Sequence, residues 1–173
     1  MPLNCAAFNP GLIESDLFGH KAGAFTDAKE ANLGALRSAG EGTVYLDEID
    51  KMPMSIQSKL LRVIQEKEVR PLGDHRYYDI NCRFVCSSKV NLAQLVSEGK
   101  FLEDLYARIS MFEVATSPLL ERLDDVPIIL EALGVPEEFR WPLQPLWYER
   151  MSRFNVRALQ AMARNLLVLK RLT

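Results

Sequence analysis

The sequence has no apolar run near the roughly 18 residues that a membrane-crossing helix needs. It opens on MPLNCAAF, which lacks the basic and apolar regions of a secretory leader. Cysteine is scarce: Cys5, Cys82 and Cys86 are the 3 in the chain. An odd count without paired spacing argues against a disulfide framework and fits a reducing compartment. Cys82 and Cys86 fall in a strand-like run and share a sheet face, but only His20 and His75 stand elsewhere, so no zinc site is expected. An excess of charge is missing too. The 21 Lys and Arg face 23 Asp and Glu, a net charge of -2, which gives no electrostatic reason to expect direct nucleic-acid binding. No internal repeat or low-complexity tract occurs. These absences describe a soluble, cytoplasmic chain without a membrane or a DNA role of its own.

What is present is enough for a packed core. At 173 residues, 48% hydrophobic and 25% charged, the chain fits one domain or a domain with a small appendage. TVYLDEI (43–49), CRFVCSS (82–88) and MFEVATSPL (111–119) are short apolar runs bounded by Gly, Pro or polar residues, and each reads as a strand. PLNCAAF at the start reads as the end of a fourth. Between them, SIQSKLLRVIQEKE places Ile56, Leu60, Val63 and Ile64 at helical spacing, and NLAQLVSEG and LEDLYARIS are shorter helix candidates. Buried strands alternating with helices predict an α/β fold with a parallel sheet flanked by helices. After Pro118 the pattern becomes helical, in ERLDDVPIILEALG and NVRALQAMARNLLVLKRL, with an irregular Pro- and Trp-containing stretch between Leu133 and Arg153. The expected division is therefore an α/β core over 1–118 and a small helical subdomain over 119–173.

Chemistry is expected at the carboxyl end of a parallel strand. Asp47 and Glu48 end TVYLDEI there. An acid in that place can hold magnesium, directly or through water, and its neighbour can orient a water toward a phosphate. The plainer alternative is that the two acids open a solvated turn. A second unusual stretch is GHKAGAFTDA (19–28), which sets Phe25 and Thr26 among small residues. The ring either fills a pocket under its own turn or is displayed for a partner.

NCAA, LIESDLFGHKAGAFTDA, GTVYLDEID, SKLLRVIQEKEVRPLG, EDLYARI, PLLERLDDVP and NVRAL occur in this order. Together they closely resemble the AAA+ domain of sigma-54-dependent, NtrC-type transcriptional activators, ring-forming ATPases that remodel RNA polymerase carrying sigma-54. The resemblance implies a P-loop NTPase-type sheet followed by a helical lid. It implies ATP and magnesium as cofactors, sigma-54 RNA polymerase holoenzyme as partner, and self-association into a ring. By resemblance Asp47 is the magnesium-organising acid of the Walker B strand, acting through water, and Glu48 activates the attacking water. Asn4 matches the amide that restrains this glutamate, or else simply caps a strand end. Arg108 matches an arginine finger, with an ion pair to Asp104 as the local alternative. A second finger is usual where this sequence has Leu102. Lys89 stands where the family's sensor I strand usually carries Asn. Arg157 matches the lid arginine called sensor II, although Arg153, Phe154 and Asn155 replace the usual turn before it. Gly23, Ala24, Phe25, Thr26, Asp27 and Ala28 correspond to the loop that touches sigma-54. Phe25 is expected as its exposed apolar anchor, Thr26 as its polar neighbour, and Asp27 replaces the family's second Gly.

One family element has no counterpart in these 173 residues: no G-x-x-x-x-G-K-[ST] occurs. That Walker A loop cradles phosphates with backbone N–H groups and a lysine. In the family it follows a strand lying between those matching CRFVCSS and MFEVATSPL. The expectation is an incomplete, truncated AAA+ core, either an ATPase module or a non-catalytic protein that engages sigma-54 or caps rings of complete relatives. Losing three or more charge-assisted hydrogen bonds, at roughly 1.5–3 kcal/mol each, costs about 5 kcal/mol, or on the order of a thousandfold in affinity. Isothermal titration of this chain with ATP and magnesium is therefore expected to show no appreciable binding. A dissociation constant in the low micromolar range contradicts this.

Overall fold

Strand β2, Thr43–Asp47, sits between two others because its sequence serves two surfaces. Val44 and Leu46 are fully buried, while Thr43, Tyr45 and Asp47 are half-buried. In a computed structural model describing residues 1–7, 12–137 and 145–170, β2 pairs in parallel with β1 (Pro2–Asn4) and β5 (Arg83–Cys86), giving the order β1-β2-β5. The register sets Leu3, Leu46 and Cys86 on one face and Asn4 and Asp47 side by side on the other. This is the α/β parallel sheet flanked by helices that the sequence predicts.

The helices supply the cover for one face. Along α3 (Met54–Glu66), Ile56, Leu60 and Val63 are buried and join Val44 and Leu46 in one cluster with Leu17, Phe101 and Leu105. Leu17 belongs to α1 (Ile13–Phe18) and Leu105 to α5 (Glu103–Ile109). Helices α2 (Ala35–Ser38) and α4 (Leu92–Ser97) complete this part, with Asn91 capping α4 through its side-chain oxygen. Between α3 and β5 the chain makes a short antiparallel hairpin of β3 (Glu68–Val69) and β4 (Tyr78–Asp79), which hydrophobic periodicity is too short to reveal.

Gln57 is the buried polar residue that ties helices together. Its Nε2 donates to the carbonyls of Met52 at 2.8 Å and Lys100 at 3.3 Å, and its Oε1 accepts from the Leu102 N–H at 2.9 Å. Leu102 is the N-cap residue of α5, so an α3 side chain fixes where α5 begins.

The structure divides into two compact units, Met1–Glu113 and Val114–Thr173. The second is helical. It contains α6 (Asp125–Ala132), α7 (Pro145–Phe154) and α8 (Val156–Lys170), with a core that includes Leu119, Val126, Leu130, Met151 and Leu159. Helix α7 corrects the irregular reading of 133–153, although residues 138–144 lie outside those described. Its opening Pro145 suits a first helical turn, where no N–H is required. Asn155 makes the turn into α8 at φ +52°, a left-handed conformation that asparagine tolerates, and its Oδ1 accepts from the Leu119 N–H at 3.0 Å.

The strand expected over 111–119 does not form. This stretch has no sheet partner among the described residues, and Met111, Phe112 and Val114 are 74%, 93% and 90% exposed. A strand requires a neighbouring ladder for its N–H and C=O groups, and none is offered there. The outer edge of β5 is also open. Arg83 and Ser87 donate toward β2, to Gly42 and Leu46, which turns the backbone groups of Phe84 and Cys86 away from it, where no described strand pairs.

Replacing Gln57 with Leu keeps the volume but leaves three backbone groups without their partner. With roughly 1–3 kcal/mol for each buried group left unsatisfied, urea denaturation is expected to show a loss of at least about 2 kcal/mol.

Candidate functional site

The candidate site is built at the carboxyl end of β2, where three successive features converge. Asp47 closes the strand and its Oδ1 accepts a 2.5 Å hydrogen bond from Ser87 Oγ and a 3.4 Å one from Tyr45. The Ser87 bond is the main reason its carboxyl titrates below the ordinary range, with the Glu48 N–H, Tyr45 and Lys89 helping and desolvation opposing. Asp47 is therefore ionised at neutral pH, as a metal-organising acid must be. Glu48 follows at φ +53°, ψ +49°, a left-handed conformation costing about 1–3 kcal/mol for a residue with a Cβ. Ile49, fully buried, donates its N–H to the Ser87 carbonyl at 2.9 Å and holds the chain through that turn.

Lys89 reaches Glu48: its Nζ lies 2.6 Å from Oε1. Asn4 stands beside Asp47 in the ladder but spends its Oδ1 on its own turn, accepting from Ala6 N–H at 2.8 Å and Ala7 N–H at 3.2 Å. The amide thus caps the end of β1 here, and the charged partner of Glu48 is Lys89. Asp50 is buried. Its Oδ1 accepts from Ser88 at 3.1 Å, and its Oδ2 lies 3.1 Å from Lys51 Nζ without hydrogen-bond geometry. Cys5 packs under these acids. Burial, reinforced by Asp47, Asp50 and Glu48, pushes its thiol up to about 11, and burial pushes Cys86 up to about 12, so neither is a nucleophile at neutral pH. Among the described residues no cluster of three His, Cys, Asp or Glu side chains forms a metal cage. One ionised carboxylate with waters suits magnesium carried on a nucleotide, which needs only one or two protein carboxylates.

Arg108 lies in the last turn of α5, exposed and without an ion pair to Asp104. Arg157 is exposed in the first turn of α8, in the second compact unit. The hydroxyls of Ser87 and Ser88 were not singled out by sequence reasoning. Their signal was available in CSSK, two hydroxyls at the end of the strand neighbouring β2.

The Gly23–Ala28 turn is a separate candidate site. Gly23 takes φ +80°, Gly23 N–H bonds the Ala28 carbonyl at 2.7 Å, and Ala28 N–H bonds the Phe25 carbonyl at 3.0 Å. Thr26 and Asp27 are exposed, Ala24 and Phe25 half-buried, and Ala28 buried. The Phe25 ring is not fully displayed: it sits edge-on to His20, with centroids 4.9 Å apart. His20 is itself held by Ser15 Oγ at 2.7 Å and the Glu30 carbonyl at 2.9 Å. The turn is anchored to the 70–77 loop. Lys21 N–H bonds the Leu72 carbonyl at 3.0 Å, Lys21 Nζ meets the buried Asp74 carboxylate at 2.9 Å, and Gly73 lies so close to Ala24 that a Cβ there would stand 2.8 Å from Ala24 Cβ.

Comparison with known proteins places these features in context. Residues 1–115 match the model of the sigma-54 interaction domain. The response regulator protein PilR of Pseudomonas aeruginosa is 42% identical over 77% of this chain and 30% of its own length. The Psp operon transcriptional activator of Escherichia coli K12 is 41% identical over 86% of this chain and 46% of its own. The crystal structure of NtrX from Brucella abortus in complex with ATP superimposes with a TM-score of 0.81, at 28% identity, over 99% of this chain and 41% of that one. The chain therefore spans less than half the length of these relatives.

The Lys21–Asp74 pair makes the support of the turn acid-sensitive. Lys21 is the main cause holding the Asp74 carboxyl below the ordinary range, with the Arg76 N–H and Tyr78 hydroxyl adding to it and desolvation opposing. The folded chain binds this proton less readily than the unfolded one, so the stabilisation is present above about pH 4 and fades as pH falls. Lowering pH from about 5 to about 3 is expected to depress Tm by several degrees more in the unaltered chain than in Asp74→Asn. Equal depression in scanning fluorimetry contradicts it.

Proposed function

The chain belongs to the sigma-54 interaction domain family, and on that premise we propose that it meets sigma-54 through the Gly23–Ala28 turn and carries the hydrolytic side of an ATP site at the end of β2. The observation that carries the first half is the turn itself: a short loop with exposed Thr26 and Asp27 on a stem anchored by Lys21, Leu72 and Asp74. A tip on a fixed base presents a partner with a defined surface at low entropic cost. Phe25 is the apolar anchor, and contact with the partner exchanges its packing on His20 for packing across the interface. Asp27 adds a charge at the tip and restricts the backbone there.

At the other site, Asp47 would hold magnesium, and the ion would supply charge neutralisation on the phosphates when bound with nucleotide. Glu48 would orient the attacking water. Its carboxylate is tied to Lys89, whose side chain, 63% exposed, can exchange that partner for a phosphate oxygen. Asn4, beside Asp47, lies on the same sheet face as a further polar group. Arg108, exposed and without an ion pair among the described residues, is free to serve a neighbouring subunit's site in a ring. Among the described residues no helix is long and apolar enough to cross a membrane, which is compatible with a partner in the transcription apparatus.

Fluorescence anisotropy with purified sigma-54 tests the reading. Phe25→Ala is expected to weaken binding by about tenfold or more, in the range of a hot-spot residue, and Asp27→Gly to strengthen it. Binding indifferent to both substitutions contradicts the assignment of the turn.

A further inference from the structure

A cavity of about 340 Å³ opens between the Gly23–Ala28 turn, α1, α3 and the 70–77 loop. It lies at the lower end of the roughly 300–1,000 Å³ range of ligand pockets. Its floor is apolar, formed by the buried side chains of Phe18, Val63 and Pro71. Its rim is charged, but those charges are largely matched within the chain. Lys59 pairs with Glu14, Arg62 Nε lies 3.7 Å from Glu66, Asp74 is held by Lys21, and the Arg70 guanidinium sits 5.7 Å from the Tyr77 ring centroid. A rim balanced in this way offers no strong field to a phosphate or a metal ion. The interior instead suits an apolar group brought in by a polar backbone.

The position of the cavity identifies what brings it. Ala24 lines the cavity and is also part of the Gly23–Ala28 turn, so a polypeptide that meets Phe25, the next residue, has the cavity beside it. The close approach of Gly73 to Ala24 makes turn and cavity wall one continuous surface. We propose that this cavity is a second contact site for sigma-54. The segment that meets the turn inserts one apolar side chain over Val63 and Phe18, beside Tyr77, while its flanking polar groups face the rim. The proposal rests on the reading of the turn as the sigma-54 contact and adds a pocket that the turn alone does not provide. The Phe25 contact at the turn and the burial of an apolar anchor in the pocket then contribute comparably to affinity.

Two substitutions fill the cavity from the α3 side without altering the turn: Val63→Phe from the floor and Glu66→Trp from the exposed rim. Glu66 is exposed, so Glu66→Trp keeps the experiment sound if Val63→Phe perturbs folding, which circular dichroism checks. In anisotropy titrations of the full chain with purified sigma-54, Glu66→Trp is expected to weaken binding by about tenfold, comparable to Phe25→Ala. A photo-crosslinking amino acid at position 66 is expected to capture sigma-54, and adding excess unlabelled chain to suppress the product. If Phe25→Ala weakens binding while Glu66→Trp does not and position 66 gives no crosslink, the pocket contact is overturned and the turn assignment stands. If the unaltered chain does not bind sigma-54, the turn assignment fails and this inference with it.

Discussion

The arrangement depends on the in-register parallel pairing of β2 with both neighbours. That ladder sets Leu3, Leu46 and Cys86 on the core face and Asn4 beside Asp47 on the other. It also delivers Ser87, just beyond β5, to within 2.5 Å of the Asp47 carboxylate. A slip of one residue would exchange the faces of β2 and place Asp47 in the core, where an unpaired carboxylate is strongly disfavoured. The burial of Val44 and Leu46, about 1.5–3 kcal/mol each, is thus what keeps the acid at the sheet's edge.

Beyond the strand, the local structure opposes the backbone preference of Glu48 and then holds it in place. A left-handed glutamate is kept there because Ile49 is anchored in the core and bonded to the Ser87 carbonyl. The side chain is then claimed by Lys89. Asn4 is close in register, and its oxygen accepts from the Ala6 and Ala7 N–H groups. A charge pair of this kind, exposed on the lysine side, is weak enough to be exchanged for another anion.

The loop of residues 23–28 shows a similar division between an anchored base and an available tip. Lys21, Leu72 and Asp74 fasten the stem, and Gly73 packs against Ala24. Phe25 lies partway between the two readings its sequence allowed, half-buried against His20 with Thr26 and Asp27 exposed beyond it. The aromatic contact is modest, about 0.5–1.5 kcal/mol beyond its burial, so a partner surface can compete for the ring.

Much of this was legible in residues alone. The alternation of short apolar runs with 3.6-residue periodicity predicted β2, β5, α3, α4 and α5, and the paired acids after an apolar strand marked Asp47 and Glu48 as the candidate site. These features are local, written in spacing and in residue type. The run at 111–119 misled for the same reason: its composition favours a strand, but a strand exists only where a second chain segment offers a ladder. The helix α7 was obscured by neighbouring Pro and Trp. What only the tertiary structure decided were contacts between residues distant in sequence: Ser87 on Asp47, Lys89 on Glu48, Asp74 on Lys21, Gln57 on Leu102. Spacing along a chain carries the periodicity of a helix or strand. It carries no information on which distant side chain closes a hydrogen bond, because that is set by how the sheet aligns its strands and how the loops pack on one another.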